Sequence, residues 1–438
     1  MPKYFLKKEV IMQNQILKNL DLKHIWHPCT QMKDHETLPL IPIKKAKGVW
    51  LYDFDDKAYM DCVSSWWVNL FGHCNEKIAN AIKKQVDELE HVILAGFTHE
   101  PIIKLSARLC EKVGRNFNKC FYADNGSSAI EVALKMSFHY HLNKGVKKSK
   151  FLSLSNSYHG ETLGALSVGD VALYKDTYKA LLLECLSTPV PQGKDYTKEL
   201  EILKDILEKN ASEICAFILE PLVQCAGNMH MYEARFIDEA IKLCHKFGVQ
   251  VIFDEIAVGF GRTGTLFALH QCKQSPDFIC LSKGITGGFM PLSVVLTRDE
   301  IYNAFYDTYE SQKAFLHSHS YTGNTLACAA ANAVLDIFED ENILVKNQIL
   351  SEFIKKEFSR LEKFDFLGNF RTCGMISAFD ILSTKYKRVG LFVFQKALEK
   401  GLLLRPLANT IYFMPPYIIT KEQIVYVLES LEQIFKEF

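Results

Sequence analysis

No apolar run in this chain reaches the length needed to cross a bilayer, and its 51 basic and 51 acidic residues cancel to a formal net charge of zero. The first absence argues against a membrane span. The second argues against nucleic acid or an anionic surface as partner, because both recruit a basic excess. The cysteines never form a Cys-x-x-Cys pair and no histidine cluster has metal-ligand spacing, so no metal is expected. Thirteen thiols, an odd number scattered singly, do not read as a disulfide framework; reduced, mostly buried cysteines of a cytoplasmic protein are expected. Internal repeats and low-complexity tracts are missing too. The N-terminus, Met1-Pro-Lys-Tyr-Phe-Leu-Lys-Lys-Glu, lacks the apolar stretch and small-residue cleavage site of a secretion signal. Met12 is an alternative start, which leaves the order of residues before about Asp21 open.

What is present is a globular composition of 438 residues, too long for one minimal core and ample for burying a cofactor. From about Lys119 to Leu296, short apolar runs alternate with amphipathic stretches. The runs are Cys120-Phe-Tyr-Ala, Phe151-Leu-Ser-Leu, Ile214-Cys-Ala-Phe-Ile-Leu, Val249-Gln-Val-Ile-Phe, Phe278-Ile-Cys-Leu and Leu292-Ser-Val-Val-Leu. Helical periodicity lies between them, as in Ala129 to Tyr140 and Ala234 to Phe247. That alternation predicts an α/β layer with a mostly parallel sheet. A long helix is expected from about Asn324 to Glu339, followed by strands at Met375-Ile-Ser-Ala-Phe and Ile411-Tyr-Phe-Met. The expected division is an N-terminal segment 1–62, a large domain 63–335 and a C-terminal part 336–438, with both termini building a smaller α/β domain.

Two residues at strand ends carry the chemistry. Asp254 closes Val251-Ile-Phe-Asp, and Lys283 closes the next run, Phe278-Ile-Cys-Leu-Ser-Lys. A lysine ending a buried strand is desolvated enough to be a nucleophilic amine, and an acid on the neighbouring strand can hold a cation. Either alone would read as a cap or a solvated side chain. Together they point to pyridoxal 5'-phosphate, whose aldehyde requires a lysine and whose ring nitrogen requires a carboxylate to stay protonated. The same lysine, once released, can serve as general base and acid. Ligands of parallel sheets sit at the carboxyl ends of strands, where both residues fall.

Other segments fit around that pair. Asp124-Asn-Gly-Ser-Ser joins a strand to a helix start, and free N–H groups at Gly126 and Ser127 with the serine hydroxyls suit a phosphate. Tyr158, in Ser157-Tyr-His-Gly, can cover a pyridine face or meet a substrate. Gly259-Phe-Gly-Arg-Thr-Gly264 matches a dinucleotide pattern literally, but no acid follows about twenty residues on at a second strand end. It reads instead as a loop presenting Arg262 near the site. Adjacent Trp66 and Trp67 cannot face one core side of a strand, so one is expected at a pocket or interface. Arg405, directly after Leu402-Leu-Leu, calls for a carboxylate partner from a substrate or a nearby side chain.

Across nearly the whole chain these motifs, with His24-Ile-Trp-His-Pro, Ser64-Ser-Trp-Trp, Ile218-Leu-Glu-Pro-Leu-Val-Gln and Ser282-Lys-Gly-Ile-Thr-Gly-Gly, resemble the class III aminotransferases of pyridoxal phosphate fold type I. The His-Ile-Trp-His-Pro and Ser-Ser-Trp-Trp pair resembles the branch that works in biotin synthesis. The resemblance implies Lys283 as the residue bonded to the cofactor, Asp254 at the ring nitrogen, and Gly126 and Ser127 at the phosphate. It places Tyr158 and Trp66 against a long oxo-acid, with Arg405 on its distal carboxylate. It also implies a homodimer with active sites at the interface, in which Ser318, His319 and Ser320 reach across to the partner's cofactor and substrate. The implied reaction moves an amine onto 8-amino-7-oxononanoate, with S-adenosylmethionine as first-choice donor and lysine second. An ω-amino acid or diamine aminotransferase is the alternative. Two departures bear on the donor: the family's His-Pro-Tyr-Thr is His27-Pro-Cys-Thr30, which puts Cys29 at an aromatic position, and its Gly-Pro-Thr is Ser318-His-Ser320.

Overall fold

Unbroken stretches of β-branched, aromatic and other apolar residues give strands that are buried on both faces. The computed structural model, which describes residues 3–38 and 40–438, has seven strands in one sheet, of which the two at its edges are only partly buried. The Met1-Pro2 start of the N-terminal motif lies outside the described residues. The strands are β1 (Phe117–Ala123), β2 (Lys150–Leu154), β3 (Cys185–Thr188), β4 (Ile214–Leu219), β5 (Gln250–Asp254), β6 (Phe278–Leu281) and β7 (Ser293–Arg298). Their order is β1-β7-β6-β5-β4-β2-β3, and only β7 runs antiparallel to its neighbours. The mixed α/β class with a mostly parallel sheet is therefore as expected.

Side chains along the central strands β4, β5 and β6 point to two core layers. Ala216, Ile218, Ile252, Phe278 and Cys280 face one core layer, shared with Ala129, Ile130, Val132 and Ala133 of a long helix. Phe217, Leu219, Val251, Phe253, Ile279 and Leu281 face the opposite layer. The helices that matter below are α1 (Glu100–Val113), α2 (Gly126–Asn143), α3 (Ala234–Lys246) and α4 (Thr325–Asp340). Helix α4 begins where the Asn324 side chain accepts the Ala327 N–H, a cap that ends the preceding loop.

The two termini meet in one sheet. Leu402 and Leu403 pair in parallel with Met60 and Asp61, adding a strand to Ile43–Lys47, Trp50–Asp53 and Ala58–Asp61. A separate antiparallel sheet joins Leu367–Cys373, Ile376–Ile381 and Thr410–Phe413. Among the described residues, no helix is long and apolar enough to cross a membrane.

Two local expectations need correction. Ser64-Ser-Trp-Trp67 is a tight helical turn instead of a strand, with all four residues at positive φ. The buried Asp61 carboxylate explains it, since it accepts the N–H groups of Val63 and Ser65 and the Ser65 hydroxyl. The turn buries Trp67 and leaves Trp66 about 41% exposed. Arg262 is not presented to a cleft either. It is 1% exposed and donates to the carbonyls of Pro415, Trp67 and Asn69, with its guanidinium over the Tyr417 ring. The glycine-rich loop thus pins the Trp67 turn to the C-terminal segment.

Arg262→Met keeps much of the volume but orphans three buried carbonyls, so it is expected to lower unfolding free energy by about 3 kcal/mol. Urea denaturation checks this, and an unchanged midpoint would show that the pin is dispensable.

Candidate active site

Five strands deliver the site at their carboxyl ends. From β1 the chain passes through Asn125 into α2; the Asn125 side chain accepts the Ser128 N–H, while the Gly126 and Ser127 N–H groups have no acceptor among the described residues. Such a helix start is an anion cradle. From β2 comes the Ser157–Gly160 loop, from β4 Glu220, from β5 Asp254, and beyond β6 Lys283. These groups, with Trp67, line one cavity of about 180 Å³.

Lys283 sits in the left-handed region, φ 44°, where a non-glycine residue is uncommon. Its ammonium lies 5.0 Å from the Trp67 ring centroid. Burial pushes its pKa down, opposed chiefly by the neighbouring Asp254 carboxylate. The result is an amine kept more nucleophilic than a surface lysine.

Asp254 is 5% exposed and fully engaged by protein donors on one side: the Ile256 N–H meets Oδ1 at 3.0 Å and His159 Nδ1 meets Oδ2 at 2.7 Å. The other His159 nitrogen is buried without a partner among the described residues. The adjoining Glu255 has a different task, accepting the Ala268 and Leu269 N–H groups deep in the core. An Asp-Glu pair therefore splits into a group facing the cavity and a group bracing the next turn.

Glu220 was not singled out by residue type or spacing. It accepts the Tyr158 and Cys225 N–H groups, which ties the Tyr158 loop to β4. Burial first, and the neighbouring Asp254 charge second, raise its pKa to about 8. Gly160, φ 128°, closes that loop against the cradle; a Cβ there would fall 2.0 Å from the Ser127 hydroxyl oxygen.

A second cavity, about 730 Å³, adjoins Trp66 and Arg405. Leu38, Leu391, Phe394 and Leu403 make it largely apolar. Arg405 stacks over Trp66 at 5.2 Å and donates to the Cys29 carbonyl, yet no carboxylate pairs with it among the described residues. Arg388, on the same cavity, is by contrast held by Asp34. Cys29 and Tyr158 converge on Glu161: the Tyr158 hydroxyl donates to its Oε1 at 3.1 Å and the Cys29 thiol approaches the same oxygen at 3.7 Å. Burial and that carboxylate raise both groups' pKa values. Glu161 was another residue that sequence reading passed over, although it directly follows the Ser-Tyr-His-Gly motif.

The predicted residues therefore fall into separate places. Lys283, Asp254, Tyr158, Gly126 and Ser127 share the smaller cavity, whereas Trp66, Arg405 and Cys29 line the larger one. Ser318, His319 and Ser320 reach neither within a single chain; the Ser320 carbonyl binds His91 and the His319 N–H meets Thr322. Trp67, its indole N–H donating to the Tyr412 hydroxyl, is the tryptophan beside Lys283.

A nucleophilic lysine, a braced carboxylate and a helix-start cradle in one pocket are the parts that a pyridoxal phosphate transaminase requires, and these residues fit that cofactor. A family model for class-III aminotransferases matches residues 31–435, and the chain belongs to that family. It is 58% identical over 428 residues to the adenosylmethionine-8-amino-7-oxononanoate aminotransferase of Helicobacter pylori, covering 96% of this chain and 98% of that one. The crystal structure of the protein of the same name from Methanocaldococcus jannaschii matches with a TM-score of 0.93 at 36% identity, over 97% and 99% of the two chains. A PLP-bound amine transaminase from an uncultivated Pseudomonas species matches with a TM-score of 0.88 at 28% identity, over 94% of this chain and 98% of its own.

Glu220 makes stability depend on pH. Its folded pKa of about 8 lies above the ordinary 4.5, so its contribution is complete below pH 4.5 and is lost as pH rises toward 8. In the ligand-free protein, Glu220→Gln should therefore gain stability relative to wild type across that window, by at least about 2 kcal/mol. Chemical denaturation at several pH values measures it, and parallel pH profiles would contradict a neutral Glu220.

Proposed function

We propose that this chain transfers an amino group onto the keto carbon of 8-amino-7-oxononanoate, giving the 7,8-diamine of biotin synthesis, with pyridoxal 5'-phosphate as cofactor and S-adenosylmethionine as the first-choice donor. The observation that carries the acceptor is Arg405: a cation stacked on Trp66, without a carboxylate partner among the described residues, at a largely apolar cavity of about 730 Å³. A carboxylate at one end and a keto group several methylenes away match those two cavities. The Helicobacter pylori and Methanocaldococcus jannaschii proteins are named as aminotransferases of that oxo-acid.

Lys283 and the Gly126–Ser127 turn would hold the cofactor's aldehyde carbon and phosphate, and Asp254 its ring nitrogen. When bound, pyridoxal phosphate supplies an electron sink for charge developing at the substrate carbon. His159 and the Ile256 N–H hold the Asp254 carboxylate in one orientation, so it presents its charge without reorganising. The depressed pKa of Lys283 lets its amine take the proton from the substrate carbon as general base and, once protonated, act as general acid. Tyr158, tethered through its N–H to Glu220 and through its hydroxyl to Glu161, lines the same cavity as Lys283 and would limit water there. The protein acts as a cytoplasmic homodimer in this reading, with the Ser318–Ser320 stretch of each chain completing the other's site.

The thiol of Cys29 at an aromatic position and Ser318-His-Ser320 favour weighing lysine as donor, and after it an ω-amino acid or diamine. Absorbance of the holoenzyme distinguishes these. Loss of the cofactor's visible band with S-adenosylmethionine, and its return with 8-amino-7-oxononanoate, is the expected result. Bleaching by lysine alone changes the donor only; no recovery with the oxo-acid would discard the acceptor.

Two variants separate the roles. Lys283→Ala should retain cofactor noncovalently while turnover falls by roughly three orders of magnitude or more. Near-normal turnover would remove the assignment altogether. Arg405→Ala should slow the oxo-acid half-reaction at fixed substrate by about 100-fold, the worth of a charge-assisted carboxylate contact, and spare the donor half. Single-turnover rates of the two halves report it, and a defect confined to the donor half would reassign Arg405.

A further inference from the structure

Among the described residues one pair of cysteine sulfurs is in contact, away from both cavities. Cys110, near the end of α1, and Cys120, within β1, bring their Sγ atoms to 3.7 Å. The short turn that joins the two elements carries Arg115 and Asn116 at positive φ, so it folds the strand back along the helix. Both residues are partly exposed, and the Cys120 thiol is the more deeply buried of the two. A disulfide bond is about 2.05 Å long, so the sulfurs must approach by less than about 2 Å, within the range of side-chain rotation.

We propose that Cys110 and Cys120 form a peroxide-responsive dithiol that closes to a reversible intramolecular disulfide. The two sulfurs are unequal. The Cys120 Sγ lies 3.9 Å from the Ser106 carbonyl, an acceptor that only a protonated thiol can serve, and either sulfur can donate in the contact between them. That contact, with the nearby Lys119 ammonium, lowers the Cys110 pKa; the same contact and burial raise that of Cys120. Cys110 is thus the attacking thiolate and Cys120 the resolving thiol.

The chemistry balances with a hydroperoxide as oxidant. The Cys110 thiolate attacks one peroxide oxygen, the O–O bond breaks, and water leaves once the departing oxygen takes a proton. The resulting sulfenic acid is attacked at sulfur by Cys120; the S–O bond breaks, the S–S bond forms and a second water departs. Two thiols lose two electrons and two protons, and hydrogen peroxide accepts both. A small thiol reverses the step by exchange.

Mass spectrometry of the holoenzyme treated with hydrogen peroxide, alkylated and digested with trypsin without reductant, tests this. Lysine and arginine between the cysteines place them in separate peptides, Leu109–Lys112 and Cys120–Lys135. A linked pair that dithiothreitol separates is the expected product. Cys120→Ser should leave a Cys110 sulfenic acid trapped by a cyclic 1,3-diketone, and Cys110→Ser should slow oxidation at position 120 by about tenfold or more. Oxidation spread over other cysteines with no linked peptide would overturn the proposal, as would an undiminished rate at Cys120 in Cys110→Ser. The wild-type digest decides the matter even if a variant folds poorly.

Discussion

Desolvation of one amine organises this protein. Lys283 can act as a nucleophile near neutral pH only where water is scarce, and water is scarce beyond the end of β6 because seven strands, covered on both faces, surround it. The same scarcity would be ruinous for an unbalanced carboxylate. Asp254 therefore receives two protein donors, and Glu220 is held neutral over much of the ordinary pH range. Three titratable groups with divergent demands share one small cavity: burial dominates at Lys283 and at Glu220, while a backbone amide and a single histidine brace Asp254.

The second cavity obeys a looser constraint. Its cation, Arg405, is exposed and kept in place by an aromatic face and a carbonyl, contacts that orient a guanidinium without neutralising it. It can be built only where the chain's two ends meet, since Cys29 and Trp66 come from the first part and Arg405 from the last. The parallel pairing of Leu402–Leu403 with Met60–Asp61 and the buried Arg262 pin on the Trp67 turn make that meeting rigid. A reaction centre built on strands and a recognition surface built on joined termini divide the labour: the first needs fixed electrostatics, the second needs shape.

Much of this was legible in advance. Periodicity located β4, β5, β6 and α4 to within a residue or two, because a strand buried on both faces admits only apolar residues and so leaves an unbroken run. Asp254 and Lys283 stood out because a charged residue ending such a run is costly without a purpose. Glu220 also ends an apolar run, but its fate depends on what faces it, and a run does not say that. Glu161 had no signal beyond proximity to a motif, as an exposed acid after a glycine is ordinary. Arg262 was misread for a similar reason: a glycine-rich loop reveals that the backbone turns sharply and leaves open whether its arginine faces inward or outward.

Sequence alone determined the layer architecture, the strand-end pair and the helix-start cradle, since each is encoded by residues close together in the chain. Tertiary structure decided the rest. It turned Ser64–Trp67 left-handed over the buried Asp61, set Trp67 against Lys283 and Trp66 against Arg405, and kept the Ser318–Ser320 stretch away from its own chain's cavities. Those outcomes depend on which distant carbonyls, carboxylates and rings come to face one another, and the free energy of a buried polar group is set by that partner far more than by its neighbours in sequence.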